Sequence, residues 1–155
     1  GWALVPQSLK EKLVIASESS QLCPSNFAQL AISSYLADQP WRDQISSFCK
    51  LYKERRDAML TAMDKYFPKE ATWTKPEGGF YVWATLPAEI DTKALMPKAI
   101  VAKVAYVPGT AFYADGFGSW SMRLSYCYPT PERITDGIKS LGGVIKKEME
   151  RRSLS

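Results

Sequence analysis

Histidine is absent from the 155-residue sequence. Without an imidazole, the chain cannot supply the Ser–His or Cys–His pair of a nucleophilic hydrolase, and a typical zinc site is not expected. If the chain belongs to an enzyme, proton transfer must therefore depend on lysine, tyrosine, a carboxylate or a cofactor.

Long apolar runs and paired cysteines are also missing. No stretch of 18 consecutive apolar residues occurs, which excludes a membrane-spanning helix on length. The opening "GWALVP" does not have the form of a signal peptide. Cys23, Cys49 and Cys127 are widely spaced and form no CxxC pair. We therefore expect them to stay reduced, and the protein to be cytoplasmic.

Signatures of nucleotide and nucleic-acid binding are absent as well. The sequence has neither a GxxxxGK[ST] phosphate loop nor a GxGxxG fingerprint. Its net charge of +4 is small, and no basic tract is interleaved with aromatic residues. We therefore predict no nucleic-acid partner, and we interpret the tail "KKEMERRS" as the solvated end of a helix.

The first half of the chain is predicted to be helical. A short buried strand, "GWALV", leads into a helix for which Ser8 and Glu11 have the spacing of a capping box. A second helix is predicted from about residue 25 to residue 37. Apolar residues then recur every three or four positions over residues 41–67, which predicts a long amphipathic helix ended by Pro68.

The second half changes to a period of two. We predict four strands, "ATWT", "GGFYVWATL", "VAYVP" and "SMRLSY", with "KPEGG" as a hairpin turn. Asp91 is predicted to cap a short helix that Pro97 kinks or interrupts, and Thr130 with Pro131 begins a closing helix. This order predicts an α+β domain of two layers, in which a mainly antiparallel sheet of three to four strands packs against helices.

Arg123 lies at the centre of "SMRLSY", where Met122 and Leu124 share one parity and Arg123 the other. A guanidinium offers a rigid fork of donors that matches a carboxylate in two places, which a lysine cannot do. Two interpretations stay open from the residues alone. Arg123 is either an ordinary surface side chain, alone or paired with Asp115 or Glu77, or part of an anion site.

Two further stretches are candidates for function. Residues 107–116, "VPGTAFYADG", combine a tight turn at Gly109 with a long loop that carries aromatic residues and is expected to be mobile. Residues 78–83, "GGFYVW", have paired glycines that allow close backbone approach, with Phe80 and Tyr81 pointing to opposite sides. The alternatives are a long hairpin connection and ordinary core packing.

Five stretches, read in order, resemble the C-terminal part of the fold-type I, pyridoxal-phosphate-dependent aminotransferases of class I/II. They are "GW" followed by a helix, "LCPSNFAQLAISSYL", "KPEGGFYVWATLP", "VAYVPGTAFYADG" and "SMRLSYCYPTPERITDGIKSL". The resemblance is nearest to the aminoadipate/kynurenine or valine–pyruvate type. It implies that residues 25–155 are the C-terminal small domain, and residues 1–24 a remnant of the adjoining large cofactor-binding domain.

The resemblance also implies roles for single residues. Arg123 would bind the α-carboxylate of the substrate, and Tyr81 would lie near the substrate pocket. The turn that contains Leu22 and Ser25 resembles a segment near the active site or the subunit interface. From this we expect Leu22 to contact substrate and Ser25 to contact the cofactor. Relatives often have a continuous helix and a glycine C-cap where this sequence has Pro97 and Lys103.

No catalytic residue is assigned to this chain, because the family's Schiff-base lysine would precede Gly1. The isolated chain is therefore expected to be inactive. The full-length protein is expected to use pyridoxal 5'-phosphate, amino-acid and 2-oxo-acid substrates, and a homodimeric assembly. A rival interpretation is the effector-sensing domain of a regulator that joins a winged-helix domain to an aminotransferase-like domain. There the same arginine would sense a ligand without turnover.

Overall fold

The fold is taken from a computed structural model that describes residues 3–87 and 90–153. The chain forms two compact units, Gly1–Gln44 and Ile45–Ser155, here the N-terminal and C-terminal units, and each is described by itself. The predicted assignment of residues 1–24 to an adjoining domain stays a prediction. None of the helices in the described residues is both long enough and apolar enough to cross a membrane.

The N-terminal unit contains helices α1 (Gln7–Gln21) and α2 (Asn26–Asp38). Of the predicted strand "GWALV", the first two residues lie outside the described residues. Residues 3–5 form no strand, so this part of the prediction is wrong. They are the three residues immediately before Pro6, which is the N-cap of α1. The predicted second helix is confirmed within one residue at each end.

The capping box predicted at Ser8 and Glu11 is wrong. Helix α1 begins one residue before Ser8, at Gln7, and its N-cap is Pro6, which makes no side-chain capping bond. The Pro6 carbonyl instead accepts the amide hydrogens of Leu9 and Lys10, at 3.0 and 3.3 Å. Proline is already held near the φ that this position needs, and so the helix starts earlier than the side-chain pattern indicates.

Helix α3 (Trp41–Tyr66) has the length predicted from its apolar repeat. Its C-terminal half carries the buried side chains Met59, Ala62 and Met63. The N-terminal half of the same stripe is half exposed, with Ile45 at 50% and Phe48 at 45%. The repeat therefore identifies the helix correctly, whereas only its second half is buried among the described residues.

The sheet confirms the predicted α+β architecture. Its strands are β1 (Thr72–Trp73), β2 (Tyr81–Thr85), β3 (Val107–Pro108) and β4 (Ser121–Ser125). They lie in the order β1-β2-β4-β3, and every neighbouring pair is antiparallel. Because β4 lies between β2 and β3, its backbone is hydrogen-bonded along both edges.

One face of the sheet forms the core. Val82, Ala84, Met122 and Leu124 are each at most 3% exposed and belong to one apolar cluster with side chains of α3 and of α5 (Pro131–Ser153). The predicted stripe of α5 is confirmed: Ile134, Ile138, Leu141 and Ile145 are all buried. Helices therefore cover one face of the sheet, and the side chains at the alternate positions point to the other face.

Helix α4 (Thr92–Val101) runs through Pro97 without a break, so the predicted interruption is wrong. Both ends are secured. The Asp91 carboxylate accepts the amide hydrogens of Lys93 and Ala94, as predicted for a cap. At the other end Lys103 adopts φ +60, the left-handed conformation that usually favours glycine. With both ends held in this way, the helix tolerates the loss of the one backbone hydrogen bond that proline removes.

Candidate functional site

The candidate site lies on the face of the sheet opposite the core. Arg123 occupies the centre of β4, where it pairs with Trp83 of β2 on one side and with Val107 of β3 on the other. Cross-strand partners project from the same face of a sheet. The backbone of Arg123 is therefore fixed by strands on both sides, which a loop position would not offer.

The guanidinium of Arg123 makes no ion pair with any of the described residues, so the predicted alternatives of Asp115 and Glu77 as partners are wrong. Its contacts are with rings. The Cζ atom lies 4.1 Å from the ring centroid of Tyr81 and 4.8 Å from that of Phe112. Both distances are within the range of a cation–π contact. Rings are not charged partners, so the guanidinium keeps its capacity to bind an anion.

Two rings contact this arginine, those of Tyr81 and Phe112, and Trp83 and Tyr113 extend the group from Phe112. We call the four residues the aromatic collar: Tyr81, Trp83, Phe112 and Tyr113. The Trp83 ring lies 5.3 Å from Phe112 in an edge-to-face arrangement and 6.3 Å from Tyr113. Such ring pairs contribute about 0.5–1.5 kcal/mol each beyond the area that they bury. Trp83 therefore holds the Phe112 ring that contacts Arg123.

A buried hydrogen-bond network fixes the start of β4. The Thr92 hydroxyl is fully buried and lies 2.7 Å from the Ser121 carbonyl oxygen and 2.9 Å from that of Ser119. The Thr92 carbonyl accepts the Tyr106 hydroxyl at 2.6 Å. Burial raises the pKa of Tyr106 well above its ordinary value, with a smaller contribution from Asp91, so this hydroxyl stays protonated and donates.

The turn before β2 is held by two side chains from outside it, those of Tyr126 and Arg56. The buried Tyr126 hydroxyl donates to the Gly79 carbonyl at 2.9 Å, and burial raises the pKa of Tyr126. Arg56 donates to the carbonyls of Pro76 and Glu77, at 3.1 and 3.4 Å, and also binds Asp57. The turn is therefore fixed from α3 and from the end of β4, and with it the position of Tyr81.

The loop predicted over residues 107–116 is more regular than expected. It begins with β3 and continues as a 3-10 helix, Gly109–Phe112. Gly109 is buried, and a Cβ added there would lie 2.3 Å from the Gly118 carbonyl oxygen. At Gly118, where φ is +80, an added Cβ would lie 2.6 Å from the Tyr113 ring. This close packing defines the loop and explains why glycine occupies both positions.

The predicted site residues fall into the two units. Tyr81 and Arg123 belong to the C-terminal unit, where the structure brings them into contact. Leu22 and Ser25 belong to the N-terminal unit, and their predicted contacts with substrate and cofactor stay predictions. Trp83, Phe112 and Tyr113 were missed as site residues. The parity that Trp83 shares with Tyr81 is the signal that could have found it.

Leu22 and Ser25 lie on either side of the junction between α1 and α2. Leu22 has φ +64 and ψ −64, and the amide hydrogen of Cys23 is donated to the Gln21 carbonyl at 2.7 Å. This is a γ-turn with positive φ, which is rare and strained for a residue with a side chain. The Ser25 hydroxyl accepts the amide hydrogen of Ala28 at 3.2 Å as the N-cap of α2.

An apolar groove of about 510 Å³ lies elsewhere in the C-terminal unit, between α3 and the turn at residues 77–80. Apolar side chains, including Ile45, Phe48 and Phe80, form most of its wall, and Arg123 does not line it. The cations that do line it include Lys53 and Arg56, and both are bound to Asp57. We therefore place the candidate site at Arg123, where a cation has no anionic partner among the described residues.

The arrangement is suited to holding a planar anion. A guanidinium presents five N–H donors along its edges and none on its faces, and at Arg123 rings contact the cation. A carboxylate can then bind edge to edge through two parallel hydrogen bonds. No group of three or more acidic, cysteine or histidine side chains among the described residues could hold a metal ion.

Comparison with known proteins shows what the chain is similar to. The family model described as aminotransferase class I and II matches residues 1–141. Aromatic-amino-acid aminotransferase 1 of Thermococcus litoralis is 43% identical over 151 residues, which are 97% of this chain and 36% of that protein. The chain therefore spans about a third of the length of this relative.

Solved structures share both the sequence and the fold. The multiple substrate aminotransferase of Thermococcus profundus superposes with a TM-score of 0.87 at 41% identity, over 94% of this chain and 36% of that one. The kynurenine aminotransferase of Pyrococcus horikoshii, in complex with PMP, gives 0.85 at 42% identity, over 92% and 35%. A more distant match is the uncharacterized HTH-type transcriptional regulator YdfD of Bacillus subtilis, 28% identical over 97% of this chain and 31% of the regulator.

Proposed function

This chain belongs to the class I and II aminotransferase family, and on that premise we propose that its parent protein is a pyridoxal-phosphate-dependent aminotransferase. Such an enzyme transfers an amino group between an amino acid and a 2-oxo acid. In this proposal Arg123 binds the α-carboxylate that both kinds of substrate carry. The observation that supports it is a guanidinium fixed at the centre of the sheet, in contact with rings and with no ion pair among the described residues.

The contribution of Arg123 is one of binding and orientation. Two parallel hydrogen bonds to a carboxylate fix both the position and the plane of that group. With the carboxylate fixed, the Cα of the substrate has few orientations left, so the bond to be broken is held in one direction. Orientation of this kind contributes several kcal/mol, up to about 7–11 kcal/mol in well-aligned intramolecular reactions.

The residues present also fit a role beside the cofactor. Pyridoxal phosphate, when bound, supplies the electron sink for the reaction. Ser25 lies at the N-terminus of the 13-residue helix α2, where backbone amides and the helix dipole favour a phosphate. Its hydroxyl accepts from the Ala28 amide and still has its own hydrogen to donate to a phosphate oxygen. We propose Ser25 as one such donor and Leu22 as a neighbour of the substrate.

Assembly as a homodimer is part of the same proposal. No residue of α1 or α2 is buried among the described residues, and many of their large apolar side chains are exposed, such as Leu13, Phe27 and Leu30. Apolar surface of this extent marks a region that another surface covers. In the parent protein, the rest of the chain and a second copy are the proposed partners of these helices.

The test is replacement of Arg123 by alanine in the full-length protein. We expect KM for an amino-acid substrate to rise about a hundred-fold, because truncating one partner of a hydrogen-bonded charge pair costs about 2–5 kcal/mol. The absorbance of the bound cofactor should persist. Arg133→Ala removes the same charge from an exposed position on α5 and is the matched control. An unchanged KM in the Arg123→Ala protein would contradict the assignment.

A second candidate function is favoured by the likeness to the regulator YdfD. In a regulator, Arg123 would bind the carboxylate of an effector without turnover. The two functions separate in a simple assay on the full-length protein with L-phenylalanine, chosen because the Thermococcus litoralis relative is an aromatic-amino-acid aminotransferase. Formation of phenylpyruvate supports the enzyme. Carboxylate binding that depends on Arg123 but yields no product supports the regulator.

A further inference from the structure

Phe112 contacts the proposed carboxylate-binding arginine from outside the sheet. Its ring centroid lies 4.8 Å from the Arg123 Cζ atom, although the two residues are separated by eleven positions in the chain. Phe112 is 45% exposed, so its ring contributes little to the hydrophobic core. This half-exposed phenylalanine contacts an arginine that has no ion pair among the described residues. Core packing therefore does not explain its position.

The Phe112 ring is itself held in place. Trp83 contacts it at 5.3 Å with an interplanar angle of 80°. Phe112 ends the 3-10 helix that begins at Gly109, and the first residue of that helix packs closely against Gly118. The ring is therefore fixed by the sheet through Trp83 and by the loop through its own backbone.

A free arginine side chain has many rotamers, and ordering it on ligand binding costs affinity. Rings on a guanidinium restrict those rotamers while leaving its edge donors open. Tyr81, at 4.1 Å, acts from β2, and Phe112 acts from the loop. The cation is in this way preorganised before the ligand arrives.

We propose that Phe112 is a positioning residue that orients the Arg123 guanidinium so that the site selects a carboxylate over a neutral group of the same shape. The proposal rests on the proposed function of Arg123 and adds a second residue to it. Phe112 acts through Arg123 and touches neither cofactor nor reacting atoms in this account. Removal of the Phe112 ring should therefore weaken the binding of carboxylate ligands and leave the binding of neutral ligands unchanged.

The experiment measures binding in the full-length, cofactor-loaded protein by calorimetry. The probes are 3-phenylpropanoate and its neutral isostere 3-phenylpropanamide, neither of which can be transaminated. Phe112→Leu removes the ring, Phe112→Tyr keeps it, and Phe112→Met is a second ringless variant should leucine impair folding. Phe117→Leu is the matched control, because Phe117 is an exposed phenylalanine of the same connection.

We expect Phe112→Leu and Phe112→Met to bind 3-phenylpropanoate roughly three- to ten-fold more weakly, the size of a cation–π contact together with one ordered side chain. Their affinity for the amide should not change. Phe112→Tyr should restore the preference for the carboxylate, and Phe117→Leu should keep it. The Arg123→Ala protein should lose the preference altogether.

Three other outcomes would contradict either the role of Phe112 or the proposed function. A ringless variant that keeps the wild-type preference, while Arg123→Ala loses it, overturns the role of Phe112 and leaves the proposed function intact. Equal weakening of both probes shows a merely structural effect and also overturns it. An Arg123→Ala protein that keeps the preference overturns the proposed function, and the inference with it.

Discussion

Gly142 of α5 packs against Tyr66, the last residue of α3, and its replacement by alanine gives a quantitative test of the packing. A Cβ added at Gly142 would lie 2.5 Å from the carbonyl oxygen of Tyr66, which is backbone and cannot turn aside. Gly143, the next residue, has nothing within 4 Å of an added Cβ. Helix propensity favours alanine over glycine by about 1 kcal/mol at either position. The two substitutions therefore differ mainly in the steric contact, at a buried Gly142 and an exposed Gly143.

The helices would have to separate by at least about 0.5 Å to accept the Gly142→Ala side chain. Overpacking of this kind costs about 1–3 kcal/mol. Because the propensity gain is common to both variants, the free energy of unfolding of Gly142→Ala should be lower than that of Gly143→Ala by about 1–3 kcal/mol. Gly143→Ala should itself exceed the wild type by up to about 1 kcal/mol.

Urea denaturation followed by far-ultraviolet circular dichroism measures this difference directly, provided that the slopes against urea agree between the variants. If both alanine variants were stabilised equally, the close contact between α5 and Tyr66 would not exist in solution. The description of the α3–α5 packing would then be wrong.

Two further predictions concern charge and backbone strain. Hydrogen bonds from Arg151 and Lys98 lower the pKa of the nearly buried Glu148 carboxyl from its ordinary value to about 2. Because the pKa of Glu148 is lower in the folded than in the unfolded protein, the ionised carboxylate stabilises the fold above about pH 4.5. This stabilisation is lost as the pH falls towards 2. The free energy of unfolding of Glu148→Gln, measured between pH 6 and 2, should therefore fall less than that of the wild type, and an equal fall would contradict the ion cluster. Leu22→Gly should raise the melting temperature of the full-length protein, because glycine relieves a positive φ that costs about 1–3 kcal/mol. Leu22→Ala, which keeps the strain, should not raise it, and an equal response to both substitutions would contradict the strained turn.

The elements with a strong periodic signal are those that the sequence predicts well. The apolar repeat locates α3 and the buried stripe of α5, and the alternation in "SMRLSY" places Met122 and Leu124 in the core with Arg123 on the other face. These elements are predicted well because the period of their apolar residues follows directly from which face of the helix or strand is buried.

Predictions that depend on a single local rule are less secure. The capping box at Ser8 is wrong because Pro6 begins the helix earlier, and Pro97 does not interrupt α4 because Asp91 and Lys103 secure its ends. In each case a neighbouring backbone feature outweighs the local preference. Such features are visible in the sequence, but their relative strength is not.

The aromatic collar shows a third limit. Arg123 and Tyr81 were candidates from their strands, and the resemblance gave them roles, whereas Phe112 comes from a loop whose course depends on the packing of Gly109 against Gly118. This contact joins residues nine positions apart, and no periodicity encodes it. Phe112 could be named as a residue of a candidate loop, but its contact with Arg123 required the structure.

Arg123 is proposed to bind the substrate carboxylate. The most direct measurement compares kcat/KM of the full-length protein for L-phenylalanine with that for 2-phenylethylamine, which has the same ring and amine but no carboxylate. If Arg123 binds the carboxylate, Arg123→Ala lowers the preference for L-phenylalanine about a hundred-fold, with little change for the amine, because only the amino acid loses a charge-assisted pair. A preference equal to that of the wild type would show that Arg123 does not bind the substrate carboxylate.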